Sequence, residues 1–244
     1  MGVVIRTAGE GDRDLVVRLL DEAFQDDPVS SWVFPGEEYR RRTHHRLMAA
    51  FADAVFADGR IDLTEDGAAC ALWLPVPADE RAGAEPDDGP EADDGPESDD
   101  GPESDDGPES DDGPESDDGP EPDDGSKAGV EDVPARIREA VDPDNERVEL
   151  IARLTDGIHP TGRAHEYLWM IGVAPGRQGE GLGTALIESV LDRCDREGLP
   201  AYLEASSARG KTLYERLGFV FTGRALDLPD GPRMWPMWRE PRTR

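Results

Sequence analysis

Three glycines two residues apart, Gly179, Gly181 and Gly183, join an apolar run to a helical pattern within residues 167–188, YLWMIGVAPGRQGEGLGTALIE. Glycine lets a backbone approach a ligand closely, and the first N–H groups of a helix have no intrahelical partner. Leu182, Ala185, Leu186 and Val190 give the helix its apolar face. Strand, glycine loop and helix start together predict an anion cradle suited to a phosphate or pyrophosphate. Spacing separates the phosphate chemistries. A triphosphate-binding Walker loop needs GxxxxGK[ST], and no lysine follows these glycines. A dinucleotide loop needs GxGxxG, yet counting from Gly179 ends on Thr184 and from Gly181 on Leu186. Glu204 does end the next strand near where a ribose-binding acid would stand, but the N-terminal half offers a hairpin in place of a second βαβ unit.

Other reactive residue types give weaker signals. His44 and His45 are adjacent on a helical pattern, so their side chains point about 100° apart, and with no third ligand near in sequence no metal site is expected. Cys70 and Cys194 have no CxxC neighbour and read as small core residues in a reducing cytosol. Residues 25–36, QDDPVSSWVFPG, read as a loop carrying Trp32 and Phe34, which either touch a ligand or plug the core edge.

The elements that must position these residues follow from pattern. Residues 3–8 read as a strand, and Asp12 opens a helix through Leu15, Leu19 and Phe24. A second helix covers 39–56, and 61–74 is a hairpin turning at Asp66 and Gly67. Residues 133–154 form one or two helices with a break at Pro143. The helix after the glycine loop ends at Gly198, 201–205 is the fifth strand, and Ser206 or Ser207 caps a helix over 208–217. Residues 219–228 and 234–239 complete the pattern as two strands.

Composition sets limits. Formal net charge is -30 over 244 residues; residues 85–125 hold 21 acids and no base, which leaves 35 acids against 26 bases elsewhere. Only Lys127 and Lys211 are lysines, against 24 arginines. Such a surface suits concentrated salt, so a halophilic source is expected, and no basic stripe exists to meet nucleic acid. No run approaches the roughly 18 apolar residues of a membrane span and no signal-peptide pattern opens the chain, so a cytoplasmic protein without a membrane partner is expected. Residues 79–130 contain six DDGPE hexads with nothing apolar to stack, and read as a disordered acidic insertion in a single domain spanning 1–244.

The loop Gln178-Gly179-Glu180-Gly181-Leu182-Gly183, with the strand IGV before it, resembles the Q/R-x-x-G-x-G/A loop of the GCN5-related N-acetyltransferases, and the order of elements is similar too. DGAACALW, YLEAS, LYERLGF and the GP.MW segment resemble its puromycin N-acetyltransferase-like members. The resemblance implies an α/β fold with a mixed, mostly antiparallel central sheet flanked by helices. It also implies transfer of the acetyl group of acetyl-CoA to a primary amine of a small molecule by direct attack. Ile171, Gly172 and Val173 would pair with the pantetheine arm, and N–H groups of Gln178, Gly179, Glu180, Gly181, Leu182, Gly183 and Thr184 would surround the pyrophosphate. Tyr214 would be the general acid, the Val173 N–H the oxyanion donor and Glu204 a base acting directly or through water. Arg177 either meets phosphate or is a solvated loop arginine. Gly210 stands where relatives commonly carry an asparagine that holds the pantetheine. A protein or peptide N-acetyltransferase and a non-catalytic acyl-CoA-binding regulatory module are the alternatives, and both a monomer and a homodimer are open.

Overall fold

The strand alternation of the hairpin organises the molecule, because its two faces feed two separate cores. In the computed structural model, which describes residues 2–79 and 133–242, β1 (Ile5–Thr7) is followed by α1 (Arg13–Phe24), α2 (Pro28–Val33) and α3 (Glu37–Asp58). The hairpin β2 (Arg60–Thr64) and β3 (Ala69–Val76) comes next. Thr64 Oγ1 accepts from the Ala68 and Ala69 N–H groups, each at 3.0 Å, and Gly67 takes the positive φ of +68° that the turn requires. Along β3, Cys70 and Leu72 join the core beneath α1 to α3, whereas Ala69, Ala71 and Trp73 join the other. This is the two-residue period of a sheet buried on both faces. Each large side chain so buried contributes about 2 kcal/mol relative to exposure.

After the acidic tract come α4 (Val133–Val141), α5 (Glu146–Asp156), β4 (His165–Val173), α6 (Leu182–Glu197), β5 (Ala201–Ala205), α7 (Ala208–Arg216), β6 (Val220–Phe221), β7 (Leu226–Asp227) and β8 (Arg233–Arg239). The sheet runs β1-β2-β3-β4-β5-β8-β6, with β7 also paired to β8. Only β4 and β5 are parallel; every other pair is antiparallel. Helices α1 to α5 cover one face and α6 and α7 the other. This is the mixed, mostly antiparallel α/β architecture expected. The described residues, 2–79 and 133–242, belong to one compact unit, while the acidic insertion expected at 79–130 lies, after Asp79, outside the described residues.

Two differences from the sequence reading have physical causes, and one choice that it left open is decided. Residues 25–36 are not a plain loop: Pro28 occupies the first turn of α2 and Asp27 caps it, its Oδ1 accepting from the N–H groups of Val29 and Ser30. Trp32 and Phe34 are core residues, 6% and 0% exposed. Trp32 donates Nε1–H to the Pro229 carbonyl at 2.9 Å, and Arg147 lies over its ring. The expected final strand over 219–228 is two short strands, β6 and β7, with Gly223 at φ +96° between them.

Candidate active-site cleft

The cleft begins where two parallel strands part. Strand β4 pairs with β5 only at Glu166↔Ala201 and Tyr167↔Tyr202, while on its other side it stays paired with β3 as far as Ala69↔Val173. The register shift between Leu72↔Met170 and Trp73↔Leu168 makes Trp169 an extra residue in β4. Such a bulge bends its strand and turns later side chains over. Leu168 accordingly packs on the α6 side, and Trp169 and Met170 on the α1 side. Beyond Tyr167 the β5-facing edge of β4 is without a strand partner among the described residues. The Ala174 N–H donates to Ala68 on the β3 side. Successive N–H groups of a strand point to opposite edges, so those of Val173 and Ile171 are directed to the open edge. Gly172 lets α1 approach: a Cβ there would lie 3.3 Å from both Ala23 Cβ and Leu20 Cδ2.

From this edge the chain enters the glycine loop. Gly176, Gly179 and Gly181 all take positive φ, between +83° and +89°, a backbone only glycine adopts without strain. Gly181 is the N-cap of α6 and no side chain caps it. The N–H groups of Gly181, Leu182, Gly183 and Thr184 are thus left at the positive end of a 16-residue helix. Arg177 is engaged, its Nε donating to Glu180 at 2.8 Å and both terminal nitrogens to Asp66 Oδ2 at 3.2 Å. It ties the loop to the β2–β3 turn.

Opposite lies α7, begun by Ser207, whose Oγ accepts from the Gly210 N–H at 3.1 Å. Tyr214 on α7 packs in the same apolar cluster as Ile171 and Val173. Burial, with the nearby Asp27 carboxylate, pushes its hydroxyl up to about 12. A Cβ at Gly210 would stand 3.4 Å from Tyr214 Cε2 and 3.3 Å from Ser207 Oγ, so glycine leaves room beside the tyrosine ring. Asp27 Oδ2 also accepts from Ser206 Oγ at 2.6 Å, linking the start of α2 to the β5–α7 junction.

On the other face of the sheet, Glu204 projects from β5 among aromatic rings. Its Oε2 accepts from Tyr167 at 2.7 Å, and its Oε1 is buried without a hydrogen bond. Tyr202 faces the same carboxylate without a hydrogen bond of good geometry. Burial, outweighing these hydroxyls, raises Glu204 to about 7. His159 Nδ1 stands 4.0 Å from Oε1. The sequence reading found Glu204 and Tyr214 but passed over His159, His165, Tyr167 and Asp27. A histidine in a turn and another at a strand start carry no periodic signal, and their partner lies some 40 residues away in the chain.

The other notable cluster is structural. His44 accepts or donates between Ser30 Oγ at 3.0 Å and Asp21 Oδ1 at 2.7 Å and is wholly buried, stapling α1, α2 and α3. Among the described residues no group of three or more His, Cys, Asp or Glu side chains is placed to hold a metal ion, and no helix is long and apolar enough to cross a membrane.

With this geometry in view, similarity to known proteins is informative. Residues 141–219 match the family model described as Acetyltransferase (GNAT) family. An uncharacterised N-acetyltransferase of Schizosaccharomyces pombe is 46% identical over 55 residues, 22% of this chain and 22% of that protein. A mycothiol acetyltransferase of Streptomyces scabiei is 45% identical over 56 residues, 22% of this chain and 18% of that protein. The matched part is therefore about a fifth of these relatives' length. A Corynebacterium glutamicum structure described as histone acetyltransferase HPA2 and related acetyltransferase superposes with a TM-score of 0.61 over 100% of this chain and 99% of its own, at 21% identity.

Proposed function

This chain carries a domain of the acetyltransferase (GNAT) family, and from that premise we propose that it transfers the acetyl group of acetyl-CoA to a primary amine of a small molecule by direct attack. The observation that carries the reading is the open edge of β4. Its outward N–H groups at Ile171 and Val173 run straight into three positive-φ glycines and an uncapped helix start. A pantetheine arm needs strand-like hydrogen bonds followed by an anion cradle, and these residues supply both in that order. Ile171, Gly172 and Val173 would hold the arm, and the backbone of Gln178, Gly179, Glu180, Gly181, Leu182, Gly183 and Thr184 the pyrophosphate. Gly210 contributes no side chain to that grip. Acetyl-CoA supplies an acyl group already activated as a thioester.

The chain's own groups then have distinct tasks. The Val173 N–H donates to the carbonyl oxygen as negative charge develops there. Tyr214, kept protonated by burial and by Asp27, has a proton to give to the leaving sulfur. Glu204, raised to about 7, is balanced between holding and releasing a proton near neutrality, which suits a base that must neutralise an ammonium group. A small amine is the acceptor that the resemblance to puromycin N-acetyltransferase-like members implies.

Acetyl-CoA consumption over a panel containing puromycin, aminoglycosides, arylalkylamines and peptides, in molar salt, tests the reading. Turnover with a small amine is expected. Turnover with peptides alone would reassign the acceptor class, and CoA binding without turnover of any amine would make this a non-catalytic acyl-CoA-binding module.

A further inference from the structure

Behind Glu204 lie two histidines whose hydrogen bonds determine which ring nitrogen carries each proton. His165 Nδ1 is 2.7 Å from the Arg163 carbonyl oxygen. A carbonyl only accepts, so Nδ1 carries the hydrogen, and in the neutral ring Nε2 is left as an acceptor. That Nε2 is 3.1 Å from His159 Nε2, which must therefore be the donor. It follows that His159 Nδ1 holds a lone pair, and it is this atom that stands 4.0 Å from the unpartnered Oε1 of Glu204. Both rings are held neutral by burial, His159 at about 4.

The rings are also fixed in orientation. His159 meets Tyr167 and Tyr202 edge-on, with centroids 4.6 and 4.9 Å away, and stacks on His165 at 5.1 Å. His165 lies 5.1 Å from Trp238. The charged groups around the pair are Asp156, which favours the protonated form of His159, and Arg163, which disfavours it on His165 and is itself paired with Glu240. His165 also lines a groove of about 400 Å³ together with Pro75, Pro77, Ala164, Glu166 and Leu199.

We propose that His159 and His165 form a proton relay behind Glu204, carrying the proton taken from the acceptor amine out of the cleft to the groove beside Pro75 and Leu199. The inference rests on Glu204 being the base of the proposed reaction. The ammonium group gives a proton to Glu204, and the protonated carboxyl passes it to His159 Nδ1. A modest turn of the carboxyl about its Tyr167 hydrogen bond shortens the 4.0 Å gap, and one water would also span it. His159 Nε2–H moves to His165 Nε2, and His165 gives up its Nδ1 proton to water when its hydrogen bond to the Arg163 carbonyl opens toward the groove. One proton enters and one leaves, both rings end neutral, and exchange of ring protons with water resets the tautomers. His159 and His165 are positioning residues, since they act on the amine only through Glu204.

Nitrogen-15 NMR of histidine-labelled full-length protein reads the tautomers without any ligand. Hydrogen on Nε2 of His159 and on Nδ1 of His165 is expected, and the opposite tautomer on His159 would overturn the relay. Kinetics with puromycin and acetyl-CoA provide the second test. His159→Gln should lower kcat by at least about tenfold, leave the KM for puromycin within about twofold, and recover activity with added imidazole. An unchanged kcat, or a loss that tracks thermal unfolding and is not rescued by imidazole, overturns the proposal. If His159→Gln does not fold, His165→Gln interrupts the same route and is judged by the same criteria. If puromycin is not turned over, the tautomers decide alone. Glu204→Gln distinguishes the two layers: unimpaired turnover there removes the base and the relay together, whereas an impaired Glu204→Gln beside a normal His159→Gln removes only the relay.

Discussion

Two ionisable groups with displaced proton affinities divide the proposed chemistry between them. Tyr214 keeps its proton throughout the neutral range because burial and the Asp27 carboxylate both disfavour the phenolate. Tyr214→Phe removes the proton donor with little change in shape. The expected outcome is a fall in kcat of about 100-fold with the KM for acetyl-CoA nearly unchanged; steady-state kinetics at pH 8 check it, and an undiminished kcat would remove Tyr214 as the acid. Glu204 works in the opposite sense. It must be ionised to accept a proton, so kcat/KM should rise with pH through about 7 and level off above it. Its effect on stability has the opposite slope. A carboxyl whose folded-state proton affinity is raised favours folding fully below the usual carboxylate range, and that contribution is lost as pH rises through about 7. Glu204→Gln should therefore remove the rise in activity and also flatten the decline in melting temperature between pH 5 and pH 8. A mutant with an unchanged slope would show that the folded protein does not shift the proton affinity of Glu204 from its unfolded value.

At the scale of elements, β4 shows how far a sequence can be read. Its glycine loop and helix start were legible because chemistry at a helix terminus depends on neighbouring residues, and φ values of +89° at Gly179 and +83° at Gly181 agree with that reading. The separation from β5 was not legible, since it depends on a one-residue bulge at Trp169 that is defined only by the register against β3. Trp32 was left open between a ligand contact and the core edge for a similar reason. An aromatic residue among turn formers looks exposed until the Pro229 carbonyl, far away in the chain, is brought to its indole N–H. Gly172 tests the placement of β4 against α1. Gly172→Val adds methyl groups beyond a Cβ already 3.3 Å from Ala23 and Leu20. Overpacking of this kind costs about 2 kcal/mol. Denaturant unfolding should show that loss, together with weaker CoA binding as β4 is displaced; full stability would mean that α1 yields at no cost.

For the whole molecule the governing quantity is charge. A formal net charge of -30 stores repulsion that salt screens, and residues 85–125 contribute 21 of the 56 acids without a single base. Among the described residues, both apolar clusters draw on segments before and after that tract. On the N-terminal side of the tract, the Asp79 N–H donates to the Thr161 carbonyl at 2.9 Å. Replacing the tract by a short Gly/Ser linker shortens a loop, and each halving of loop length changes closure entropy by only about 0.6 kcal/mol. It also removes like charge. We therefore expect the deletion variant to fold, to keep kcat/KM within about twofold in molar salt, and to melt at a higher temperature than the full chain in dilute buffer, where repulsion is least screened. Thermal melts across a salt series, paired with acetyl-CoA turnover, provide the measurement. Loss of turnover at every salt concentration would show that the tract takes part in the chemistry, and a lower melting temperature in dilute buffer would show that its acids stabilise the fold through specific contacts, in opposition to the repulsion argued from net charge.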